Sequence, residues 1–217
     1  GESASSGKAV SVWDNQYMII PLDRPEGGTS LDDETYTYSP NDITPADVDG
    51  DGEYELILKW EPSNSFDSGK DARHNGNVYI DCYKMNGTKL WRIDMGMNIN
   101  AGAHFTQMAA YDFDLDGKAE IALKTAPGTK DGKNNYVSEA SSIEEIKNTD
   151  NSADYRHDKN GGDTGGRVLS GDEYYTVFQG NTGEALDTIY YPHSRGAITE
   201  WGDTWGNRSE RYLAAVA

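Results

Sequence analysis

The stretch "DVDGDGEYELILKW" (residues 47–60) places three aspartates at alternate positions and then continues as a mostly apolar strand. Residues 112–124, "DFDLDGKAEIALK", repeat this arrangement. Carboxylates so close together repel one another strongly unless a cation neutralises them. The pattern therefore predicts two cation-binding loops, each of which leads directly into a β-strand.

Both loops offer the oxygen ligands that Ca²⁺ prefers, which number about 6–8 in protein sites. Each has glycine at position 6, Gly52 or Gly117, where a calcium loop turns sharply. We predict carboxylate ligands from positions 1, 3, 5 and 9 and a backbone carbonyl from position 7. These ligands are Asp47, Asp49, Asp51, Glu53 and Glu55 in the first loop, and Asp112, Asp114, Asp116, Lys118 and Glu120 in the second.

The sequence around the loops argues against an EF-hand, which has its bidentate glutamate at position 12 between two helices. Here the last acid is at position 9, and the following segments "ELILKW" and "EIALKT" show no helical period. A dockerin is disfavoured for the same reason, because its similar loops open helices. Since such calcium sites are structural more often than catalytic, we interpret both as stabilisers of turns between strands.

Two further segments, "YKMNGTKLWRI" and "FQGNTGEALDTI", read as a strand, a turn and a second strand, which predicts two hairpins. Their glycines Gly87 and Gly183 are 96 residues apart, whereas the acidic loops begin 65 residues apart. The difference predicts an insertion, which we assign to the polar residues 128–167. Within it, "SSIEEIKN" predicts one short helix with a capping box formed by Ser141 and Glu144.

Composition narrows the classes of partner. With 37 acidic and 19 basic residues the formal net charge is −18, so we expect no binding to nucleic acid or to anionic membranes. No apolar stretch approaches the roughly 18 residues of a membrane helix. The single cysteine, Cys82, rules out an intrachain disulfide framework and is predicted to be a buried strand thiol. Residues 1–11 are predicted to be a lead-in or linker.

A unit of about 65 residues with several strands predicts an all-β repeat, for which the blades of a β-propeller are the natural candidate. Without the 31 surplus residues of the insertion, 186 of the 217 residues remain, which is fewer than three such units, whereas propellers close with roughly 4–8 blades. We assign residues 12–217 to these blades. The last residues, "RYLAAVA", are similar to "TQMAAYD", the segment that runs into the second acidic loop. We therefore expect this chain to be the first blades of a longer protein.

Five phrases in this order carry a family likeness: "SVWDNQYMIIPLDRPEGG", "DVDGDGEYELILKWEPSNS", "AGAHFTQ", "GRVLSGDEYYTVFQGNTGEAL" and "WGDTWGNRSERYLA". From about Val12 onward the chain resembles bacterial rhamnogalacturonan lyases of polysaccharide lyase family 11. The resemblance implies the N-terminal part of an eight-bladed, calcium-stapled propeller with several Ca²⁺ ions. It also implies eliminative cleavage of rhamnogalacturonan, a pectin polysaccharide, between galacturonate and rhamnose. We expect a secreted, extracellular protein.

The resemblance also suggests site residues. The family's sugar-contacting asparagine falls on Asn41, and its sugar-contacting acid falls on Glu61, where relatives have aspartate and the side chain is one methylene shorter. His104 in "AGAHFTQ" is our candidate for a residue in the cleft, because the small residues around it allow close approach. The family's catalytic basic residues lie in later blades. We therefore assign no catalytic base and expect residues 1–217 alone to be inactive.

Two other classes of function remain open at this stage. One is a non-catalytic, calcium-dependent carbohydrate-binding module, and the other is an adhesion protein whose ligands are proteins. A longer parent protein with downstream basic residues would favour the lyase. Lys59 and Lys124 occupy matching positions after the two loops, which predicts a structural role for both.

Overall fold

The protein, described here from a computed structural model, is built almost entirely of antiparallel β-sheet. The structure describes residues 16–66, 73–158, 162–193, 195–211 and 215. The predicted lead-in, residues 1–11, and most of "RYLAAVA" lie outside these residues. The strands are β1 (Gly28–Thr29), β2 (Thr35–Tyr36), β3 (Tyr38–Ala46), β4 (Glu55–Pro62), β5 (Tyr79–Tyr83), β6 (Lys89–Asp94), β7 (Met108–Tyr111), β8 (Glu120–Thr125), β9 (Tyr174–Phe178) and β10 (Ala185–Tyr190).

Helix is scarce in the described residues. The single α-helix, α1, spans Glu144–Lys147, and four short 3₁₀ helices span Val137–Ala140, Gly162–Thr164, Ile198–Trp201 and Arg208–Glu210. None of the helices in these segments has the length and apolar character needed to cross a membrane. The predicted all-β class with one short α-helix is therefore confirmed.

Two four-stranded sheets repeat one plan. Strands β3 to β6 pair in chain order to form the first sheet, strands β7 to β10 do the same in the second, and β1 pairs with β2. The predicted hairpins are confirmed as β5–β6 and β9–β10. Each acidic loop precedes the second strand of its sheet, so the two sheets are equivalent in sequence and in topology.

The sheets differ in the connection between their second and third strands. This connection has 16 residues between β4 and β5, but 48 between β8 and β9. The longer one contains residues 128–167 and helix α1. The predicted capping box is wrong, because the N-cap of α1 is Ile143 and no side chain caps it. The buried hydroxyl of Ser141 instead donates to the carbonyl of Thr188 in β10, at 2.6 Å.

The main hydrophobic core lies between the two sheets. Its buried members from strands of the first sheet are Ala46, Ile57, Ile80, Cys82, Trp91 and Ile93, and those from strands of the second are Ile121, Leu123 and Phe178. Trp91 also donates from its indole nitrogen to the carbonyl of Gly180, at 2.7 Å. A Cβ at Gly180 would lie 1.8 Å from the carbonyl oxygen of Ala119, so only glycine allows this close approach. The predicted burial of Cys82 is confirmed.

Candidate metal loops and candidate binding site

The first acidic loop joins β3 to β4 and is curled by its own backbone. The carboxylate of Asp47 accepts hydrogen bonds from the amides of Gly50 (2.7 Å) and Gly52 (2.9 Å), both of which have positive φ. The buried carboxylate of Glu55 accepts from the amide of Val48, at 3.0 Å. As a result, oxygen atoms of Asp47, Asp49 and Glu55 all lie within 4.8 Å of one another.

The second loop, between β7 and β8, repeats this geometry. The carboxylate of Asp112 accepts from the amides of Asp116 (3.0 Å) and Gly117 (2.9 Å). Glu120 is buried and accepts from the amide of Phe113, at 2.9 Å. Oxygen atoms of Asp112, Asp114 and Glu120 again lie within 4.8 Å of one another. Three of the four predicted acids of each loop are thus brought together.

The fourth predicted acid of each loop supports the turn. Asp51 accepts from the amide of Glu53, and Asp116 accepts from the amide of Lys118, both at 2.8 Å. Asp51 and Asp116 lie outside the two oxygen clusters described above. Glu53 is exposed and Lys118 is half-buried. A carbonyl contribution from Glu53 or Lys118 therefore stays a prediction.

The electrostatics of both loops fit a cation. Burial raises the pKa of Glu55 and of Glu120, and the neighbouring aspartates raise both further, although the amide bonds oppose these effects. One carboxylate oxygen of Asp49 is buried and has no hydrogen-bond partner among the described residues. Because the donors are all oxygen and carry several negative charges, the loops could hold Ca²⁺.

The two loops lie side by side at one end of the neighbouring sheets. The amide of Ala119, just after the second loop, donates to the carbonyl of Asp47 in the first, at 2.8 Å. A Cβ at Gly50 would lie 3.2 Å from the carbonyl oxygen of Gly117. Folding of one loop thus supports the other.

The residues carried over from the family resemblance lie at the other end of β3 and β4. The pairing of these strands shifts between Pro40 and Ile43, and this irregularity sets Asn41 and Asp42 opposite Lys59. The ammonium of Lys59 lies 3.6 Å from Asp42 and 3.7 Å from Glu61, and its side chain is fully buried. Lys59 therefore compensates the charges of two acids that flank the same site.

Lys59 also anchors the loop that carries His104. Its ammonium donates to the carbonyls of Gly102 (3.2 Å), Ala103 (3.3 Å) and Phe105 (2.8 Å). Burial lowers the pKa of Lys59, while the carboxylates of Glu61 and Asp42 oppose this shift. His104 itself is exposed. The structure thus brings the backbone around His104 to the Glu61 site and leaves the His104 side chain at the surface.

The Glu61 site has buried acceptors whose neighbouring donors, the side chains of Lys59 and Ser65, do not complete ordinary hydrogen bonds to them. Both carboxylate oxygens of Glu61 and the side-chain oxygen of Asn41 are buried without a partner that meets ordinary hydrogen-bond geometry among the described residues. Burial raises the pKa of Glu61, and the nearby Lys59 opposes the shift. Unpaired buried acceptors are costly, so this geometry suits a ligand that supplies hydroxyl donors.

A buried ionic cluster of four side chains was not predicted from the sequence. Lys124 binds the carboxylates of Glu173, at 3.0 Å, and Glu210. Arg195 lies 2.7 Å from Glu173 and 3.5 Å from Glu210. Of the four residues, only Lys124 could be singled out from the sequence, because it occupies the same position after its acidic loop as Lys59 does. The other three are distant from Lys124 in the chain.

Comparisons with known proteins agree with this geometry. The family model described as "Rhamnogalacturonan lyase family 11, C-terminal domain" matches residues 17–217. Over all 217 residues the chain is 53% identical to the rhamnogalacturonan endolyase YesW and 50% identical to the rhamnogalacturonan exolyase YesX, both of Bacillus subtilis (strain 168). It spans 32% of each of these two relatives, about a third of their length.

Solved structures are similar as well. The crystal structure of YesW superposes with a TM-score of 0.80, covering 93% of this chain and 31% of that one. The Bacillus licheniformis rhamnogalacturonan lyase PL11 gives a TM-score of 0.81 at 51% identity, covering 93% of this chain and 32% of that one. The endolyase and the exolyase are almost equally similar to the chain, so the likeness does not distinguish the two modes of cleavage.

Proposed function

The chain belongs to rhamnogalacturonan lyase family 11, and we propose that it is part of the catalytic domain of a pectin-degrading lyase. The substrate would be rhamnogalacturonan, cleaved by β-elimination between galacturonate and rhamnose. Both relatives named above are rhamnogalacturonan lyases, which supports this activity and disfavours a non-catalytic binding module. The chain spans about a third of these relatives, so the proposed activity is that of the whole protein.

The observation that carries the proposal is the set of buried acceptors at Glu61 and Asn41. We assign them to sugar hydroxyls, which would donate the missing hydrogen bonds. Lys59 lies 3.7 Å from the Glu61 carboxylate and offsets one of the two negative charges of Asp42 and Glu61. This compensation matters because the polymer carries uronate charges and the chain itself has a net charge of −18.

The reaction requires removal of a proton from C5 of the uronate and stabilisation of the charge that develops on its carboxylate. The described residues of this chain supply binding groups, and we place the catalytic base in later parts of the protein. His104 remains a candidate for the cleft, since its loop is held by Lys59 beside Glu61.

We propose that Ca²⁺ binds both acidic loops, held by Asp47, Asp49 and Glu55 and by Asp112, Asp114 and Glu120. When bound, the ion supplies positive charge that neutralises crowded carboxylates. Asp47 lies six residues beyond Asn41 on an extended strand, which corresponds to about 20 Å. These ions therefore stabilise the strand ends and do not contact a sugar bound at Glu61.

We further propose that the two sheets are consecutive blades of an eight-bladed propeller. Their first strands, β3 and β7, contact each other, and the core fills the space between the sheets. The remaining blades would come from the same protein, which we propose is secreted and extracellular. The calcium loops act as staples between the first two strands of each blade.

Kinetics of the full-length protein with Glu61→Gln test the proposed site. The release of unsaturated uronate from rhamnogalacturonan is followed by its absorbance. Loss of the charged acceptor is expected to raise KM by about tenfold or more, since hydrogen bonds to charged groups contribute about 1.5–3 kcal/mol. The control is Glu184→Gln, an exposed acid in the β9–β10 turn, which is expected to leave KM unchanged.

Two results would count against the proposal. An unchanged KM and kcat in Glu61→Gln would remove Glu61 from the binding site. A full-length protein that binds rhamnogalacturonan but releases no unsaturated uronate would restore the binding-module alternative. Protein ligands without any affinity for pectin would instead indicate adhesion.

A further inference from the structure

The first acidic loop contains a built-in cation. The ammonium of Lys84, which follows β5 directly, lies 2.6 Å from a carboxylate oxygen of Asp49. It also lies 3.4 Å from Asp51 and 3.8 Å from Glu55. Lys84 therefore contacts two of the acids that form the first oxygen cluster, on the side of the loop that faces β5.

The strand register explains why Lys84 reaches this loop. Leu56 of β4 pairs with Tyr83 of β5. Because the strands are antiparallel, Lys84, which follows Tyr83, lies opposite Glu55, which precedes Leu56. Lys84 is half-buried at the start of the β5–β6 turn, where its amide donates to the carbonyl of Thr88. The pairing of β4 with β5 thus sets the backbone position of Lys84, and its long side chain spans the remaining distance to the carboxylates of the first loop.

The second loop has a neutral residue at the matching position. Ile121 of β8 pairs with Phe178 of β9, which places Gln179 opposite Glu120. The amide of Gln179 donates to the carbonyl of Glu184 at the start of the β9–β10 turn, as that of Lys84 does to Thr88 in the first sheet. The side-chain oxygen of Gln179 accepts from the hydroxyl of Thr182, at 3.2 Å.

The two loops therefore differ in the charge of the side chain that lies beside the cluster before a metal ion binds. In the first, a cation entering the cluster must displace an ammonium and then bind with that positive charge still nearby. In the second, the residue opposite Glu120 is the neutral Gln179, and the carboxylates of Asp114, Asp116 and Asp112 raise the pKa of Glu120. At the first loop, loss of the Lys84 ion pairs and repulsion between Lys84 and the metal ion both oppose binding.

We propose that Lys84 is a tethered competitor of calcium at the first acidic loop, so that the second loop, with Gln179 in its place, binds calcium more tightly. The inference rests on the proposed calcium sites and adds an order of filling to them. On this view the first loop keeps part of its charge balance when calcium is scarce, and the second loop depends on the ion.

Reciprocal exchange of the two residues tests the proposal in the full-length protein. Calcium binding is measured by calorimetry after the protein has been stripped of metal. Asp114→Ala removes a ligand of the second loop, and in that background Lys84→Gln is expected to tighten binding at the first loop by about tenfold. Asp49→Ala removes a ligand of the first loop, and there Gln179→Lys is expected to weaken binding at the second by a similar factor. Each pair of proteins differs by one residue, so the contribution of any other calcium site to the measured binding is the same in both.

The outcomes are distinct. Opposite shifts in the two exchanges support the competitor role. A calcium affinity at the first loop that changes by less than about twofold on Lys84→Gln would overturn it. Absence of calcium binding at both loops in the unsubstituted protein would overturn the proposed calcium sites and this inference together. A cooperative melting transition of Lys84→Gln in excess EGTA shows that the variant is folded.

Discussion

Replacing Glu210 by glutamine should destabilise the protein strongly, because it unbalances the buried ionic cluster. Glu210 and Glu173 carry two negative charges, and Lys124 and Arg195 carry two positive ones. The four side chains are between 2% and 8% exposed, so water screens them poorly. Glu210→Gln preserves the size of the side chain and removes one charge, leaving a buried net charge of one.

The size of the effect follows from these contacts. Breaking a buried ion pair by removing one partner costs about 3–5 kcal/mol. The amide oxygen of a glutamine can still accept from the side chain of Asn100, which lies 3.0 Å from Glu210. We therefore expect the lower end, about 3 kcal/mol. Because the Tm shift per kcal/mol falls as the chain grows longer, and this chain spans about a third of its relatives, we expect the Tm of the full-length protein to fall by roughly 2–4 °C.

Calorimetric melting of the full-length protein in calcium is the assay. Glu200→Gln is the control, since it makes the same chemical change at an exposed position in the same segment. Its effect is expected to stay within about 0.5 kcal/mol. In the double variant Lys124→Met with Glu210→Gln, charge balance returns and the pair Arg195–Glu173 remains. That variant should recover at least about 1 kcal/mol relative to the sum of the single effects.

Two observations would refute this reasoning. One is a Tm for Glu210→Gln that matches the control variant, which would mean that the cluster is well hydrated in solution. The other is simple additivity in the double variant, which would mean that Lys124 and Glu210 do not interact energetically.

Three further predictions concern pH, calcium and the thiol. Burial alone raises the pKa of Glu210, but the charges of Lys124 and Arg195 lower it on balance. The advantage of the natural protein over Glu210→Gln is therefore complete above about pH 4.3 and shrinks as pH falls through the lowered pKa, as melting at several pH values will show. Excess EGTA should lower Tm, since calcium at 100 times its Kd adds about 2.7 kcal/mol, and an unchanged Tm would show the ions to be dispensable. Cys82 is fully buried, which raises its pKa, so a thiol reagent should label it only in denaturant, and rapid labelling of the native protein would contradict the structure.

The parts of the fold that depend on neighbouring residues in the chain were predictable. Carboxylates at alternate positions with glycine at position 6 indicate a curled acidic loop. In the structure both loops are curled by hydrogen bonds that the carboxylates of Asp47 and Asp112 accept from backbone amides. The Asn/Gly turns predicted two hairpins for a similar reason, because turn chemistry acts over a few residues. In the β8–β9 connection, which holds residues 128–167, a contact with a distant strand overrides a local preference. Ser141 was predicted to cap a helix, yet its hydroxyl is taken by a carbonyl of β10.

By itself, the sequence determined the all-β class, the two acidic loops, the hairpins and the burial of Cys82, because alternation, turn residues and charge spacing are local properties. Only the tertiary structure decided which distant groups meet. It placed Lys84 across from Glu55, buried Lys59 between Asp42 and Glu61, and assembled the cluster around Lys124. Such contacts depend on strand register and on the packing of one sheet against another. A shift of one residue in register would turn strand side chains such as Lys59, Glu61 and Lys124 to the opposite face, and no turn next to β4 or β8 sets how these strands pair with β5 and β9 across their long connections.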